Sequence, residues 1–585
     1  MLDNRFEVAI VGAGPVGLCL AALLRQAGVS AVVLERRGEL HRLPQAHVVN
    51  CRTMEVFRSL GLDRKVVAAA APISRLRFVS WCESLAGREL GRLSLIGNDP
   101  SAIIERLSFS PTNVVNLAQN VLEPILYDHL VAHGGVVRFD HDVISVSANE
   151  SGTRLVVDNA GREFAIEADY VVACDGAGSG VRRGLGIEMI GPTSLQKFIT
   201  VYFTANLDCH IGGRSGPLQW IVGPDVRGVL IGFDLAGTYA LMCPYAEPNT
   251  PKDYGPEVAA AMVSKAIGDT DVRFEITAIS NWTMSAQIAD RFTAGRIFLA
   301  GDAAHRFPPS GGLGMNTGVQ DAHNLAWKLA AVIKGAAGVE LLNTYEEERR
   351  PVVQVNCEQS VGNSMRLFQI DSVLGVATMA PVTPQAALQP ASPALDYGLD
   401  GDTPEAVTKR AAVAEALQDQ LEHYDSIGLD FGVRYETGAL VQDGSDPLPI
   451  EVTRYVPSTR PGSRLPHAWL EKQGRRTSTL DLIKHGRLVV LAGADSEPWS
   501  RFVTEIASEL GYPVDVHLIG ATDGYTDPQG NWARVGGPVG SGAILIRPDG
   551  HIGWRASKCD SNARASLRQA CFIALGRAAT AMAAA

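Results

Sequence analysis

Hydrophobic and polar positions near the start of the chain predict a strand, a helix and a second strand. Residues 8–11 form a short apolar run, and residues 13–26 then place leucines at helical spacing. Gly28 follows as a helix stop, and residues 32–34 form the next apolar run. This order predicts that the chain opens with a βαβ unit.

Later segments continue to alternate between strands and helices. Residues 121–133 and 318–334 have helical spacing, and the second of these segments carries a continuous apolar face. Short apolar runs predict strands at residues 136–146, 154–157, 170–173 and 296–300. Residues 75–110 and 195–285 are rich in β-branched residues and glycine, which predicts a second, largely antiparallel sheet.

The pattern changes after residue 375. Residues 375–405 contain many Pro, Ala, Ser and Thr residues and predict a linker. A new unit then begins near residue 430. Its predicted elements are a strand at 488–491, a helix at 499–510, strands at 514–518 and 543–546, a turn at 547–550 and a final helix ending in the alanine-rich tail. We therefore expect a small α/β domain at the C-terminal end.

Composition narrows the class of protein. The 585 residues correspond to roughly three structural units. A formal net charge of −11 without a long Lys/Arg run argues against nucleic acid and anionic membranes as partners. The nine cysteines are scattered without C-x-x-C or zinc-ligand spacing, so we expect reduced thiols and no metal. We find no leader segment and no apolar span of about 20 residues, and we expect a cytoplasmic protein.

The first turn carries a glycine motif, Gly12-Ala-Gly14-Pro-Val-Gly17, between the first strand and the first helix. Gly12 permits the tight turn, Gly14 lets a pyrophosphate approach the backbone, and Gly17 lets the helix pack closely on the strand. Glu35 ends the second strand, where a carboxylate accepts hydrogen bonds from ribose hydroxyls. In this context the motif predicts a dinucleotide site, but it does not choose between FAD and NAD.

Two later segments also place an aspartate directly after a predicted strand. Cys174-Asp175-Gly176 follows one strand, and Gly301-Asp302 follows another before the chain enters the long helix. Open α/β sheets bind ligands at the carboxyl ends of their strands. An isolated Asp-Gly is usually only a turn. Two of them after strands, downstream of a dinucleotide motif, predict that both aspartates contribute to the same site.

With these motifs the sequence resembles the group A flavoprotein monooxygenases, the para-hydroxybenzoate hydroxylase-like family, and within it the phenol-hydroxylating sub-branch. The resemblance covers nearly the whole chain and is densest in residues 6–60, 110–185 and 295–352; it includes the run GDAAHRFPPSGGLGMNTGVQDAHNLAWKLA. It implies an α/β fold with a Rossmann-like, glutathione reductase-like FAD-binding domain, an inserted, mostly antiparallel β-sheet substrate domain and a C-terminal thioredoxin-like domain.

The implied domain boundaries follow from the same resemblance. The FAD-binding domain comprises residues 1–74, 111–184 and 286–375, and the substrate-binding domain comprises residues 75–110 and 185–285. Residues 376–429 form a linker and helical connection, and residues 430–585 form the thioredoxin-like domain. That domain lacks C-x-x-C, so it is expected to be structural rather than redox-active.

The resemblance also implies a set of cofactor-binding residues. Gly12, Gly14, Pro15 and Gly17 would cradle the FAD pyrophosphate, and Glu35 with Arg36 would lie at the adenosine ribose. The residues implied nearer the flavin are Gln45, Gln119, Asp175, Asp302, Pro309, Gly312, Leu313, Gly314, Met315 and Asn316. Asp302 would bind the ribityl chain, and the backbone N–H groups at the start of the long helix would face the N1–C2 edge. A helix N-terminus stabilises the negative charge of reduced flavin.

The catalytic residues implied by the resemblance are His47 and Asn116. His47, in Pro44-Gln-Ala-His47, would take the proton of a bound phenol. Two positions depart from the sub-branch pattern, because Gln45 stands where an arginine is usual and Asn116 stands where an acidic residue is usual. Both departures remove charge, which indicates an unusual substrate. His305, after the second aspartate, is interpreted as structural.

The predicted function is therefore an FAD-dependent monooxygenase that uses NAD(P)H and O2 to hydroxylate a phenolic or hydroxy-heteroaromatic substrate through a C4a-hydroperoxide of non-covalent FAD. NAD(P)H would bind transiently, because no second dinucleotide motif follows a strand. Baeyer–Villiger oxidation or epoxidation in natural-product tailoring is the alternative, and a non-catalytic flavoprotein is a further one. We also expect a homo-oligomer, a dimer or larger.

Overall fold

The computed structural model describes residues 4–97, 99–377, 380–495 and 497–578, which form a mixed α/β protein. The strands are β1 (Arg5–Val11), β2 (Ala31–Leu34), β3 (Val48–Val49), β4 (Phe78–Cys82), β5 (Glu89–Ser94), β6 (Val115–Asn116), β7 (Val136–Arg138), β8 (Asp142–Asn149), β9 (Gly152–Asn159), β10 (Arg162–Ala173), β11 (Met189–Ile190), β12 (Gln196–Ala205), β13 (Leu218–Val222), β14 (Arg227–Gly232), β15 (Thr238–Tyr245), β16 (Phe274–Met284), β17 (Gln287–Ala289), β18 (Thr293–Ala294), β19 (Ile297–Leu299), β20 (His305–Arg306), β21 (Trp469–Lys472), β22 (Arg475–Ser478), β23 (Leu488–Ala492), β24 (Val514–Leu518), β25 (Ala543–Ile546) and β26 (Ile552–Ala556). The α-helices are α1 (Pro15–Gln26), α2 (Cys51–Ser59), α3 (Asp63–Ala69), α4 (Pro100–Leu107), α5 (Gln119–Ala132), α6 (Gly180–Gly184), α7 (Asp208–Ile211), α8 (Pro256–Ile267), α9 (Leu313–Ile333), α10 (Thr344–Leu374), α11 (Pro384–Leu388), α12 (Pro404–Gln418), α13 (Leu421–Tyr424), α14 (Ile427–Gly432), α15 (Glu497–Leu510), α16 (Asn531–Arg534) and α17 (Ala563–Ala574).

The first sheet contains the predicted βαβ opening. Its strand order is β18-β19-β10-β1-β2-β7, and β9 joins β10 to β8. The central strands β19, β10, β1, β2 and β7 are parallel. Their apolar side chains pack against α1 and α9, and Val8, Ile10 and Leu18 are fully buried. Since these strands are parallel, their carboxyl ends meet at one edge of the sheet.

The second sheet has seven strands in the order β16-β12-β15-β14-β13-β4-β5. Its pairs are antiparallel except β13 with β4, which confirms a largely antiparallel sheet built from the two predicted segments. One face packs against α8 through a separate apolar core. The opposite face packs against α10 and α12 in one apolar cluster and against Ala118 in another.

The C-terminal strands form a third sheet, in the order β24-β23-β25-β26, in which only the first pair is parallel. Strands β23, β24 and β25 confirm the predicted strands, and α15 and α17 confirm the two predicted helices. Trp327 and Ala331 of α9 belong to the same apolar cluster as Trp499 and Trp554. The C-terminal unit therefore packs directly on the long helix of the first part.

Three segments differ from the expectations. Helix α9 begins at Leu313, five residues before the predicted start, because Gly312 adopts a left-handed conformation (φ +64°) that lets the chain turn straight into the helix. The predicted linker contains α11 and the beginning of α12, and α12 packs on the second sheet. The final helix ends at Ala574, and the alanine-rich tail beyond residue 578 lies outside the described residues.

Three observations on the described part of the chain concern cysteine pairing, metal-binding clusters and membrane-spanning helices. The nine cysteines are free thiols. Within the described ranges, no group of three or more His, Cys, Asp or Glu side chains is arranged to hold a metal ion. No helix in that part of the chain combines the length and the apolar character needed to cross a membrane.

Candidate active site

Four strand ends bring the predicted dinucleotide residues together. Gly12 follows β1, Glu35 follows β2, Asp175 follows β10 by one residue and Asp302 follows β19. Backbone bonds fix this edge: the Gly12 N–H donates to Leu34 (2.8 Å), and the Cys174 N–H donates to Val11 (2.8 Å). The parallel order of the strands therefore places motifs nearly 300 residues apart at one cleft.

The glycine turn is shaped both by packing and by open space. A Cβ at Gly12 would lie 2.4 Å from the Cys174 carbonyl oxygen, and one at Gly17 would lie 2.1 Å from the Gly12 oxygen. A Cβ at Gly14 would meet no described atom within 4 Å. Gly14 is also the N-cap of α1, with Pro15 in the first turn. The open space lies where backbone N–H groups and the positive helix end favour a phosphate.

Glu35 is buried beside this turn. Its carboxylate accepts from the Ala13 N–H (2.9 Å) and from the Arg37 guanidinium (2.9 Å). Burial alone would raise the pKa of Glu35, but the bonds from Arg37 and Ala13 hold that pKa below its ordinary value. Glu35 is therefore ionised at neutral pH. The sequence pointed to Arg36, whose side chain is exposed; Arg37 is the residue that pairs with Glu35.

The two aspartates differ in their surroundings, because Asp175 has a buried acceptor without a partner and Asp302 is exposed. The Oδ2 atom of Asp175 accepts from the Val181 N–H (3.3 Å), while its buried Oδ1 has no partner among the described residues. The Asp302 side chain is open to the cleft. Desolvation by the surrounding protein raises the pKa of both carboxyl groups above the ordinary value, although the Asp302 side chain keeps contact with solvent. Both groups are therefore suited to accept hydrogen bonds from hydroxyl or amide donors of a bound ligand.

Helix α9 points its N-terminus at the same cleft. Gly314 resembles Gly14, since a Cβ there would meet no described atom within 4 Å. The Asn316 side chain is fully engaged: Nδ2 donates to the carbonyl oxygens of Val48 (2.9 Å) and Gly312 (2.7 Å). Its Oδ1 accepts from the Asn50 N–H (3.0 Å) and the Thr53 hydroxyl (2.7 Å). Asn316 thus ties the segment after His47 to the helix N-terminus.

His47 and Asn116 meet beside this junction. Val48 pairs with Asn116 in the two-stranded β3–β6 ladder, and His47 Nδ1 lies 2.6 Å from Asn116 Oδ1. The His47 ring packs edge-on against Phe233, with ring centroids 5.7 Å apart. Burial lowers the pKa of His47 below its ordinary value, and the Asn116 bond opposes this shift. The imidazole is therefore neutral at neutral pH.

Beside His47, apolar side chains of the second sheet and of the turn before α5 form a small cluster. Its buried members are Ala118, Tyr202, Phe233 and Ala240. No local pattern points to Phe233 or Tyr202, because both lie in segments that predict only a strand. The pocket wall therefore belongs to the second sheet, while the histidine belongs to the segment between β2 and α2.

The remaining predicted residues occupy varied environments. Gln119 begins α5 and donates to the buried Glu123 (2.8 Å). Gln45 and Pro309 are exposed, while Leu313 is buried and Met315 is half-buried. His305 is fully buried and bonds the Asp321 carboxylate (2.7 Å). His305 thus lies behind the cleft rather than in it.

These residues fit FAD. The open positions at Gly14 and Gly314 leave room for backbone approach by a pyrophosphate and a flavin ring, respectively. The unpartnered carboxylate oxygen of Asp175 and the open Asp302 offer acceptors between them. Glu35 would hold the ribose at the far end. The arrangement suits a long dinucleotide that spans from the first turn to α9 and ends beside His47.

Comparison with protein-family models gives two matches. Residues 5–360 match the model described as FAD binding domain. Residues 458–578 match the model described as aromatic-ring hydroxylase, C-terminal. The first match contains every predicted site residue, and the second contains the whole third sheet.

Curated relatives are similar over nearly their whole length. The 2,4-dichlorophenol 6-monooxygenase of Delftia acidovorans is 36% identical over 96% of this chain and 97% of its own. The phenol 2-monooxygenase of Pseudomonas sp. (strain EST1001) is 32% identical over 94% of this chain and 90% of its own. The resemblance drawn from the motifs is thereby confirmed.

Solved structures agree with these sequence matches. The flavin-dependent monooxygenase PieE, in complex with FAD and substrate, superposes with a TM-score of 0.91 at 33% identity, covering 98% of this chain and 100% of that one. A ternary complex of aklavinone-11 hydroxylase with FAD and aklavinone gives a TM-score of 0.80 at 30% identity, covering 99% and 100%.

Proposed function

Because the chain belongs to the FAD-dependent aromatic-ring hydroxylases, we propose that it hydroxylates a phenolic or hydroxy-heteroaromatic substrate with His47 as the base. The enzyme is an FAD-dependent monooxygenase, and NAD(P)H and O2 are its proposed co-substrates. The observation that carries the proposal is the neutral His47 held by Asn116 at 2.6 Å, one residue before the strand that Asn316 ties to α9.

The chain's own residues would hold the cofactor as follows. Backbone N–H groups around Gly14 would bind the pyrophosphate, Glu35 the adenosine ribose and Asp302 the ribityl hydroxyls. The N-terminus of α9 would face the pyrimidine edge of the flavin, where negative charge develops. When bound, FAD supplies the redox chemistry that takes a hydride from NAD(P)H and transfers one oxygen atom from O2. The protein orients the ring and excludes water.

His47 would prepare the substrate. An electron-rich ring is needed for attack by an electrophilic oxygen donor, and a phenolate is far richer in electrons than a phenol. A phenol with a pKa near 10 is only about 0.1% ionised at pH 7. A base at hydrogen-bond distance offsets part of that deficit at the site. Phe233, Tyr202 and Ala240 supply the apolar wall against which an aromatic ring would pack.

Relatives support a phenolic substrate. The curated relatives named above are a dichlorophenol and a phenol monooxygenase. A further relative, tetracenomycin A2 monooxygenase-dioxygenase of Streptomyces glaucescens, is 33% identical over 99% of this chain. Both small phenols and polycyclic substrates therefore belong in the substrate screen, and product identification distinguishes ring hydroxylation from Baeyer–Villiger oxidation or epoxidation.

We further propose the domain division expected from the sequence. The FAD-binding domain would comprise 1–74, 111–184 and 286–375, in the glutathione reductase-like manner. The substrate domain would comprise 75–110 and 185–285, followed by the connection 376–429 and a thioredoxin-like domain at 430–585. The three separate sheets support this division. We also propose a cytoplasmic homo-oligomer, which light scattering of the purified holoenzyme and cell fractionation test.

The direct test identifies the bound cofactor and measures a variant that lacks the proposed base, His47. Denaturing the yellow holoenzyme should release non-covalent FAD, and a phenol should stimulate NAD(P)H oxidation with formation of hydroxylated product. His47→Ala should lower coupled hydroxylation about 10²–10⁴-fold at neutral pH while FAD content stays normal. Part of the activity should return as the pH approaches the phenol's own pKa, because solvent then supplies phenolate.

His133→Ala is the matched control, since His133 is an exposed histidine at the end of α5. It should leave the reaction unchanged. Full coupled hydroxylation by His47→Ala at neutral pH would show that another group, or none, takes the substrate proton.

A further inference from the structure

The orientation of the Asn116 amide is fixed by the second sheet. Its Nδ2 lies 2.6 Å from the Phe233 carbonyl oxygen and 3.5 Å from that of Gly232. Carbonyl oxygens only accept hydrogen bonds, so the NH2 group must face them. The amide oxygen therefore faces His47, and an oxygen of an amide can only accept.

This orientation sets the tautomer of His47. The ring atom that faces Asn116 Oδ1 at 2.6 Å is Nδ1, which must carry the hydrogen and donate it. The lone pair of the neutral ring is then on Nε2. The histidine is therefore preset as a proton acceptor at Nε2.

The same bond limits how strongly Nε2 holds a proton. A carboxylate at position 116 would stabilise an imidazolium by its full charge, but an amide oxygen offers only a dipole. Burial already lowers the pKa of His47, and the Asn116 bond is the smaller, opposing cause. The carbonyls of Phe233 and Gly232 would also repel a carboxylate oxygen placed where Nδ2 now lies. The position of Asn116 in β6 therefore keeps His47 a weak base.

We propose that this chain selects phenols whose hydroxyl is acidified by electron-withdrawing ring substituents, because Asn116 makes His47 a preset but weak base. The inference rests on the proposed function and names its substrate class. In the step, the phenol O–H bond breaks and an Nε2–H bond forms. The electron pair of the broken bond stays on the phenolate oxygen, and the imidazolium keeps its Nδ1–H bond to Asn116.

The size of the effect follows from the acidities. An ordinary phenol has a pKa near 10, and the pKa of His47 lies below 6.5, so transfer is disfavoured by more than about 3,000-fold before the ions attract each other. Each unit by which substituents lower the phenol pKa recovers about tenfold of this deficit. Chlorine and methyl groups have similar bulk but opposite effects on acidity. Matched chlorophenols and methylphenols therefore separate acidity from fit.

The experiment measures kcat/KM for coupled hydroxylation by the holoenzyme with such pairs, substituted at the same ring positions. At neutral pH the chlorinated member should be used at least about tenfold better, although chlorine makes a ring less reactive once both are ionised. Above the pKa of the methylphenol this preference should disappear. Equal or better use of methylphenols at neutral pH, or a preference that persists at high pH, would overturn the inference.

Two spectroscopic measurements test the same idea without turnover. Carbon-13 NMR of methylphenol labelled at the hydroxyl-bearing carbon should show a bound neutral phenol at neutral pH, and a bound phenolate would contradict the inference. Nitrogen-15 NMR, with His47→Gln to assign the signal, should find the proton of His47 on Nδ1; a proton on Nε2 would also contradict it. Failure of every phenol to stimulate NAD(P)H oxidation would instead defeat the proposed function itself.

Discussion

Replacing Arg547 by methionine should destabilise the protein strongly, because this arginine neutralises two buried carboxylates. Its guanidinium donates to Glu348 at 2.7 and 2.8 Å and to Asp549 at 2.5 and 3.1 Å. The three side chains are at most 1% exposed. Removing one partner of a buried ion pair costs about 3–5 kcal/mol, since the remaining charge stays buried without compensation.

Lys328→Met is the matched control. Lys328 also reaches Glu348 (2.7 Å) and is fully buried. Burial lowers the pKa of Lys328 to about 8 despite that contact. The attraction of Glu348 therefore does not fully offset the cost of burying the ammonium group. Arg547 contributes more than Lys328 to lowering the pKa of Glu348. Lys328→Met should therefore destabilise the protein clearly less than Arg547→Met.

The pH dependence gives a second signature. Although burial opposes ionisation, Arg547 and Lys328 lower the pKa of Glu348 to about 2, against an ordinary value of 4.5. This contribution to stability is fully present above pH 4.5 and is lost as the pH falls through 2. Without Arg547 the carboxylates repel each other, so at least one pKa rises above its ordinary value. The free energy of unfolding that Arg547→Met loses should then be largest at neutral pH. The loss should become smaller as acid protonates that carboxyl group.

Urea unfolding at a fixed excess of FAD measures these effects, with tryptophan fluorescence as the signal. Four of the eight tryptophans lie in the C-terminal unit: Trp469, Trp499, Trp532 and Trp554. If Arg547→Met lowers the free energy of unfolding by less than about 1 kcal/mol, the typical contribution of a single hydrogen bond, the reasoning is refuted. A loss no larger than that of Lys328→Met, or one independent of pH, would refute it as well.

Four further variants test the cleft. Asp302→Asn should weaken FAD binding about 10- to 150-fold, the equivalent of a charge-assisted bond, in a flavin fluorescence titration; unchanged affinity would make Asp302 a structural residue. Gly14→Ala should weaken FAD binding without lowering the melting temperature of FAD-free protein, whereas Gly17→Ala should lower that temperature, because its Cβ would meet Gly12 at 2.1 Å. Asn316→Ala should lower coupled hydroxylation about 10- to 100-fold by loosening the His47 segment while FAD stays bound, with the lost NAD(P)H appearing as hydrogen peroxide; tightly coupled turnover would contradict this.

The cleft could be predicted from sequence because its signals are local. Gly12 and Glu35 come directly after apolar strands, and Asp175 and Asp302 come two and three residues after theirs, so each strand and its turn form one local pattern. Parallel pairing then brings these residues together, since the carboxyl ends of β19, β10, β1 and β2 lie at one edge of the sheet. Glu35, Asp175 and Asp302 therefore meet without any long-range information beyond the fold class. Arg37 was missed because Arg36 and Arg37 are indistinguishable until the backbone after β2 is placed.

The substrate side depends on contacts that no local pattern reveals. His47 and Asn116 are 69 residues apart and meet through a ladder of only two residues in each strand. The Phe233 carbonyl that orients Asn116 is another 117 residues along the chain. A resemblance to a family supplied the two residues, but the direction of the amide, and hence the tautomer of His47, follows only from the second sheet.

The C-terminal unit was expected to be structural, and its buried charges show how it connects to the cleft. Arg464 pairs with Glu55 of α2, and Arg52 of the same helix donates to the Asp549 carbonyl oxygen (2.8 Å). At the N-terminus of α2 the N-cap Asn50 binds Asn316 through its backbone N–H. Helix α2 therefore connects the C-terminal unit to the segment that carries His47 through buried ion pairs and hydrogen bonds, and these contacts cross from residues beyond 430 to the cleft.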